Sequence, residues 1–435
     1  MIKNKGYLKA KESLINIFKE AEKNKYNYML GIEIEHFILK KNTLEAVSYF
    51  EDQGVEDILI ELSNRYNYKK KYEKDHVIGL ENNKLAVSLE PGGQIEVALK
   101  PQATLQEIEK VYLSFLKEIV PILKEKNRLI INVGYQPVSS IKEIPIIPKK
   151  RYEFMYNYFK EQGKYAHNMM KGTASIQVNI DYSNEDDYIK KNRVINFLSP
   201  LIYAAFDNSP FFEGEICKNQ SMRANIWDNC DNKRCGLSPN PFAEDFGYKN
   251  YADYILNNPP IFVNKNDKLI YTGDNLFNDI FDHNQFTKKE LKHLLTMSFP
   301  DVRTKQYIEI RMGDSLPIDY MMGFVAFWKG ILYNEDNLNL LYNEIGNYNN
   351  EEILKIKNKI KNKGKKISFN GRPLMEYYKY LLSLAQKALT DCEQDYLKKL
   401  FELAENGLVP KDITLRLNEK KKNNALEWCI GNNIV

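Results

Sequence analysis

The sequence predicts an α+β protein, with one sheet carrying a wet, charged face and helices behind it. Four short segments place polar or charged residues at alternate positions: Gly31-Ile32-Glu33-Ile34-Glu35, residues 88–96, residues 173–179 and Tyr307-Ile308-Glu309-Ile310-Arg311. Side chains along a strand alternate between faces, so the polar members of each segment share one face. Between these segments apolar residues recur at helical spacing, as in Leu105, Ile108, Tyr112, Phe115, Ile119 and Ile122. Glutamate is poorly suited to strands, so its repeated use at these positions calls for a reason beyond folding.

The elements follow in order. Leu14, Ile15, Phe18 and Ala21 predict an amphipathic helix over 10–25, and the first polar-faced strand follows at 28–40. A helix over 55–66 precedes a strand over 84–99, which Lys100-Pro101 ends because proline cannot donate to the ladder. Within that strand, Pro91-Gly92-Gly93 permits a bulge or kink, a device that re-aims side chains beside active sites. A long helix over 104–126 and a strand over 128–135 come next. Pro145 and Pro148 make 141–151 an extended connection.

The third polar-faced strand spans 172–181 and the helix behind it 194–206. Residues 208–258, rich in Asn, Asp, Pro and Gly, read as a long loop excursion, and such loops are usually functional or disordered. A hairpin over 261–271 turns within 264–267. The fourth polar-faced strand, 303–313, leads into a helix over 321–333. Two domains are expected: a catalytic one over 1–345, including the excursion, and a Lys/Asn-rich helical subdomain over 346–435 with helices at 374–389 and 396–404.

Bulk properties exclude several classes. The 62 basic and 58 acidic residues leave a net charge of +4, which gives no nucleic-acid footprint. No apolar run reaches the roughly 18 to 20 residues of a membrane span, and the N-terminus lacks the apolar core of a signal peptide. Five sparse cysteines form neither a disulfide framework nor a Cys-x-x-Cys pair, and the five histidines include no His-x-x-x-His. A reduced, cytoplasmic protein without zinc is expected.

The motifs themselves suit Mg²⁺ and phosphate. Converging carboxylates repel one another and raise each other's pKa unless a hard cation joins them. Glu33, Glu35, Glu90 and Glu96, with Glu309 as a further candidate, compose such a set. Their bland alternative is a solvated sheet face. Arg303, Lys305 and Arg311 share parity on the last polar strand, where they either hold a polyphosphate or carboxylate or form plain salt bridges. Arg223 precedes Trp227 by one helical turn; the pair either walls a substrate pocket or caps the core. Neither a Gly-x-x-x-x-Gly-Lys-[Ser/Thr] loop nor a Gly-x-Gly-x-x-Gly fingerprint is present, so bound ATP would rest on metals and arginines.

Gly31-Ile32-Glu33-Ile34-Glu35-His36-Phe37 resembles the Gly-x-Glu-x-Glu-Lys-Phe segment of plant-type glutamate–cysteine ligases, and residues 88–96 resemble that family's most distinctive motif. Residues 173–181, 206–214, 223–237 and 299–311 match further blocks in the same order. The resemblance implies a glutamine synthetase-like fold, a curved, mostly antiparallel sheet funnel with outer helices. It also implies ligation of the glutamate γ-carboxylate to the amine of cysteine, through a γ-glutamyl phosphate, with ATP as co-substrate and Mg²⁺ as cofactor.

Carried over by position, Glu33, Glu35, Glu90, Glu96 and Glu309 are the expected metal ligands. Arg303, Lys305 and Arg311 face the nucleotide and phosphoryl group, and Thr173, Gln177, Asn179, Arg223, Trp227 and Ile261 contact substrate. The expected partners are glutamate, cysteine or another amine, and ATP, with no nucleic acid or membrane; the expected assembly is a monomer or homodimer. Three positions depart from the family: His36 replaces a lysine, Lys171-Gly172 replaces Leu-Arg, and Ile261 replaces a pocket tyrosine. The last motivates an alternative, the same chemistry on a different amine. A non-catalytic regulator is the third reading, opposed by the complete acidic set.

Overall fold

Nine strands form one sheet in a computed structural model that describes residues 5–265, 268–281, 286–420 and 424–434. They are β1 (Leu30–Lys40), β2 (Lys69–Glu73), β3 (His76–Glu81), β4 (Leu85–Leu89), β5 (Ile95–Gln102), β6 (Arg128–Ile131), β7 (Ser175–Ile180), β8 (Val302–Thr304) and β9 (Ile308–Asp314). The order is β8-β9-β7-β1-β5-β4-β3-β2, with β6 pairing the far end of β1. Every pairing in it is antiparallel. The fold is the mixed helix and antiparallel sheet that the sequence predicts.

One face of the sheet is apolar and closed by helices. Ile32, Ile34, Val97 and Val178 are fully buried, each burial contributing about 1.5–3 kcal/mol. The helix Leu105–Glu125 packs against β5; Glu185–Ala205 packs against β9 and Ile318–Leu332 against β7. The first of these starts at a capping box in which Thr104 and Glu107 satisfy each other's backbone N–H groups. Leu374–Ala388 packs on Ile318–Leu332 and adds Leu381 and Leu382 to the same core. Among the described residues no helix is long and apolar enough to cross a membrane.

Several local expectations are corrected. The predicted strand over 84–99 is a hairpin, with β4 and β5 paired from Leu85↔Leu99 to Leu89↔Ile95. Pro101 does not end it, since Gln102 still pairs with Leu30. The strand over 303–313 is also a hairpin, with Arg303 opposite Glu309. β2, Lys-Lys-Lys-Tyr-Glu, escapes sequence reading because it is an edge strand, where lysines discourage further pairing.

The helix expected at 10–25 runs Lys5–Lys19, and the strand expected to reach 135 stops at Ile131. The 141–151 connection gives way to a helix at Lys150–Phe159, and the 208–258 stretch carries helices at Met222–Asp228 and Tyr248–Asn257. Phe262–Lys265 pairs with Lys268–Tyr271 as expected; the turn residues Asn266 and Asp267 lie outside the described residues.

Candidate active site

The polar face gathers its carboxylates across three adjacent elements. Glu35 on β1 lies directly opposite Glu96 on β5, and Glu96 lies opposite Ser88 on β4. Like charges directly opposite destabilise a ladder. Here Ser88 Oγ donates to Glu96 at 2.6 Å. Glu35 accepts from Ser175 N–H at 2.8 Å, Ser175 Oγ at 2.9 Å and Gln177 Nε2 at 3.0 Å. Glu33 accepts from Asn179 Nδ2 at 3.0 Å. Gly31 makes room for that amide, since a Cβ there would lie 3.0 Å from Asn179 Cβ.

Glu90 sits at the head of the β4–β5 turn. The turn is closed by Gly93 N–H to Glu90 O at 2.9 Å, with Gly93 at φ +86°. That left-handed backbone favours glycine. Gln94 Nε2 ties the turn to Thr173 O at 3.0 Å, and Tyr152 O–H reaches Leu89 O at 3.0 Å and Glu90 Oε1 at 3.3 Å.

Glu33, Glu35, Glu90 and Glu96 line one cavity of about 330 Å³ together with Thr173, Gln177, Arg223, Trp227, Arg303, Lys305 and Arg311. Burial, then the charge of Glu90, pushes Glu35 up to about 8. Burial also raises Glu96, again helped by Glu90, and Glu33, helped by Glu309. Glu33, Glu35 and Glu96 therefore resist ionisation, and a cation among them would relieve that resistance.

The opposite edge of the cavity is cationic. Arg303 Nε, Lys305 Nζ and Arg311 Nη1 converge on the fully buried Glu309 at 2.5, 2.7 and 3.1 Å. These cations hold its carboxyl well below the usual range against the opposing effect of burial. The pairing is irregular between Ile310 and Gly313, and Arg311 sits at that break. Its guanidinium donates to Gln177 Oε1 at 2.7 Å, while its backbone carbonyl accepts from Arg223 Nε at 3.1 Å and Nη2 at 2.9 Å. Trp227 is flanked by Arg223 and Arg311, 5.4 and 5.6 Å from its ring. Among the described residues, Arg223 Nη1 and Trp227 Nε1 are buried donors without a partner.

Six positions stand differently from their sequence reading. Arg303, Lys305 and Arg311 are not on one strand: Arg303 is on β8, Lys305 in the turn and Arg311 on β9. Glu309, expected as a metal ligand, is instead engaged by three cations and does not line the cavity. Asn179 reaches the site through Glu33. Ile261 is fully buried in the main core, away from the cavity wall. The departure at His36 lies on the other face, where the ring bonds Tyr112 Oη at 2.8 Å and Ile95 O at 3.2 Å.

Sequence reading missed a third wall. Lys149, Arg151, Tyr152 and Met155, at the start of the helix Lys150–Phe159, join Met169 and Met170 in lining the cavity. The available signal was a basic and aromatic run directly after Pro148. Lys149 Nζ and the Arg151 guanidinium lie over the Tyr152 ring at 4.7 and 5.4 Å. Burial and then the charge of Arg151 push Lys149 down from its ordinary value.

The acidic donors are all carboxylate oxygens, which suit a hard cation. Among the described residues no three metal-binding side chains gather closely enough to cage a metal by themselves. Mg²⁺ does not ask for a cage: one or two carboxylates, waters and substrate phosphates complete its shell. The donor set fits that mode.

The model of glutamate–cysteine ligase family 2 matches residues 29–428. The chain is 34% identical over 421 residues to the chloroplastic glutamate–cysteine ligase B of Oryza sativa subsp. japonica, covering 94% of this chain and 84% of that one. It is 33% identical over 423 residues to the chloroplastic enzyme of Arabidopsis thaliana, covering 94% and 79%. In fold it is similar to the glutamate–cysteine ligase of Francisella tularensis, solved in complex with AMP, at a TM-score of 0.55 and 12% identity over 93% of this chain and 87% of that one.

Proposed function

Because this chain belongs to glutamate–cysteine ligase family 2, we propose that it joins the γ-carboxylate of glutamate to the amine of cysteine while splitting ATP to ADP and phosphate. One observation carries the reading: Glu35 faces Glu96 across a strand pair, with Glu33 and Glu90 beside them, in a cavity edged by Arg303, Lys305 and Arg311.

A carboxylate is a poor electrophile. Transfer of the ATP γ-phosphoryl group to the glutamate γ-oxygen makes a γ-glutamyl phosphate and releases ADP. The amine then attacks the acyl carbon, a C–N bond forms, and phosphate leaves with the C–O bonding pair as the amine gives up a proton. Every reactant in the first step is anionic, so catalysis is positioning and charge neutralisation.

The chain's own groups divide that work. Arg303, Lys305 and Arg311 neutralise the transferring phosphoryl group, and Glu309 keeps the three in register. The unpaired donors of Arg223 and Trp227 suit the carboxylate of the glutamyl substrate, with Thr173 and Gln177 beside them and Asn179 orienting Glu33. Of Glu33, Glu35, Glu90 and Glu96, one or two at a time would hold Mg²⁺, with waters and substrate phosphates completing its shell. When bound there, Mg²⁺ supplies the charge that lets carboxylates and phosphates share one cavity. Walls of Met155, Met169, Tyr152 and Trp227 limit water around the acyl phosphate. Ile261 gives no ground for another acceptor, because its side chain lies in the core.

In the test, Glu90→Gln and Arg311→Ala are assayed for glutamate-dependent ADP release. Each should lose roughly 100- to 1000-fold in turnover, the scale of removing one charge-stabilising group, with an unchanged circular dichroism spectrum. Near wild-type turnover in either variant sinks the assignment.

A further inference from the structure

The cations around the cavity are not equivalent. Arg303, Lys305 and Arg311 are committed to Glu309, and Arg223 is tethered to the carbonyl of Arg311 through Nε and Nη2, with its Nη1 left for the glutamyl carboxylate. Lys149 and Arg151 also line the cavity, yet among the described residues neither side chain has a hydrogen-bond or ion-pair partner, Arg151 Nε being buried without one, although the charges of Glu90, Glu96 and Glu73 reach Lys149 from further off. Both rest on the face of Tyr152, and that ring is pinned in turn by its hydroxyl on Leu89 O. The charge of Arg151 disfavours the Lys149 cation more than that of Glu90 or of Glu96 alone favours it, and a further anion bound near both relieves that repulsion.

Their place separates them from the phosphoryl end. In the sheet order, the committed cations stand at the β8–β9 edge and the carboxylates on β1 and β5. Lys149 and Arg151 lie beyond these, beside the β4–β5 turn that Tyr152 contacts. The cavity is therefore cationic, acidic and cationic in sequence. Two separate anionic groups suit it better than one. Beside the free cations, Met155, Met169 and Met170 offer a soft, adaptable apolar wall that suits a small sulfur-bearing or aliphatic side chain.

We infer that Lys149 and Arg151 form the subsite for the carboxylate of the amine-bearing substrate, so that the acceptor is recognised as an α-amino acid and not as a simple amine. The inference rests on the ligase reading above and adds the residues that select its second substrate.

The experiment compares cysteine with 2-aminoethanethiol, which has the same amine and thiol but no carboxylate, in wild type, Lys149→Ala and Arg151→Gln. Wild type should favour cysteine in kcat/KM. In each variant that preference should fall about 10- to 100-fold, the scale of one charge-assisted hydrogen bond. The fall should come from cysteine alone, with KM for ATP and glutamate unchanged. Arg151→Lys, which keeps the charge but loses the planar fork, should retain part of the preference and guards against a variant that does not fold. Equal losses for both amines, or a raised KM for ATP, overturn the inference. A wild type that uses 2-aminoethanethiol as well as cysteine overturns it too, and leaves the ligase reading standing. Absence of glutamate-dependent ADP release with any amine overturns both.

Discussion

Glu35 and His36 are neighbours with opposite fates, and the two-residue period of β1 is the cause. Glu35 points into the cavity among its hydrogen-bond donors, whereas His36 points into the core beside Tyr112 and Phe115. Burial lowers the imidazole from 6.5 to about 4. The folded state therefore binds fewer protons than the unfolded chain between those values, and stability falls as pH drops through them. His36→Gln removes this titration. Relative to that variant, the wild type should lose about 3 kcal/mol between pH 6.5 and pH 4, as the linkage of such a shift requires. Urea titrations at a series of pH values would measure it, and parallel acid limbs in the two proteins would refute it. The alternation of Glu33, Ile34 and Glu35 was readable in the sequence. That His36 belongs to the apolar side follows from the same parity.

At the scale of elements, two hairpins build the site, and in the sequence each looks like a single strand. Pro91-Gly92-Gly93 was legible as a break, but the pairing of β4 with β5 across it was not. The β8–β9 turn, Lys305-Gln306-Tyr307, carries no glycine or proline to announce it. Folding it back sets Arg303 opposite Glu309 and turns a candidate ligand into the anchor of three cations. Removing one partner of a buried ion pair leaves uncompensated charge and costs about 3–5 kcal/mol. Glu309→Gln should therefore destabilise the protein by about that much in urea denaturation, and lower turnover even under conditions where it is folded. A stability within about 0.5 kcal/mol of wild type, a margin typical of surface changes, would show that the cations do not depend on it.

Across the whole molecule, the sheet order decides which segments meet. Segments 33–35, 90–96, 149–155, 173–177, 223–227 and 303–311 each contribute residues to one cavity although they are scattered along the chain. Ligands that bind only the folded state stabilise it by mass action, about 2.7 kcal/mol at a hundredfold excess over Kd. ADP with Mg²⁺ and glutamate should raise the unfolding midpoint by several degrees, and EDTA should remove most of that gain. An EDTA-insensitive shift would contradict metal binding by the four carboxylates.

The order of motifs along the chain by itself determined the family, the mixed fold and the acidic strip, because alternation and spacing are local properties that a one-dimensional pattern carries. Whether a charged residue lines the cavity, anchors another side chain or sits in the core depends on strand partners and on helices distant in sequence. Only the tertiary structure could therefore separate Glu309 from the four cavity carboxylates, withdraw Ile261 into the core, and bring Lys149 and Arg151 to the cavity wall beside the β4–β5 turn.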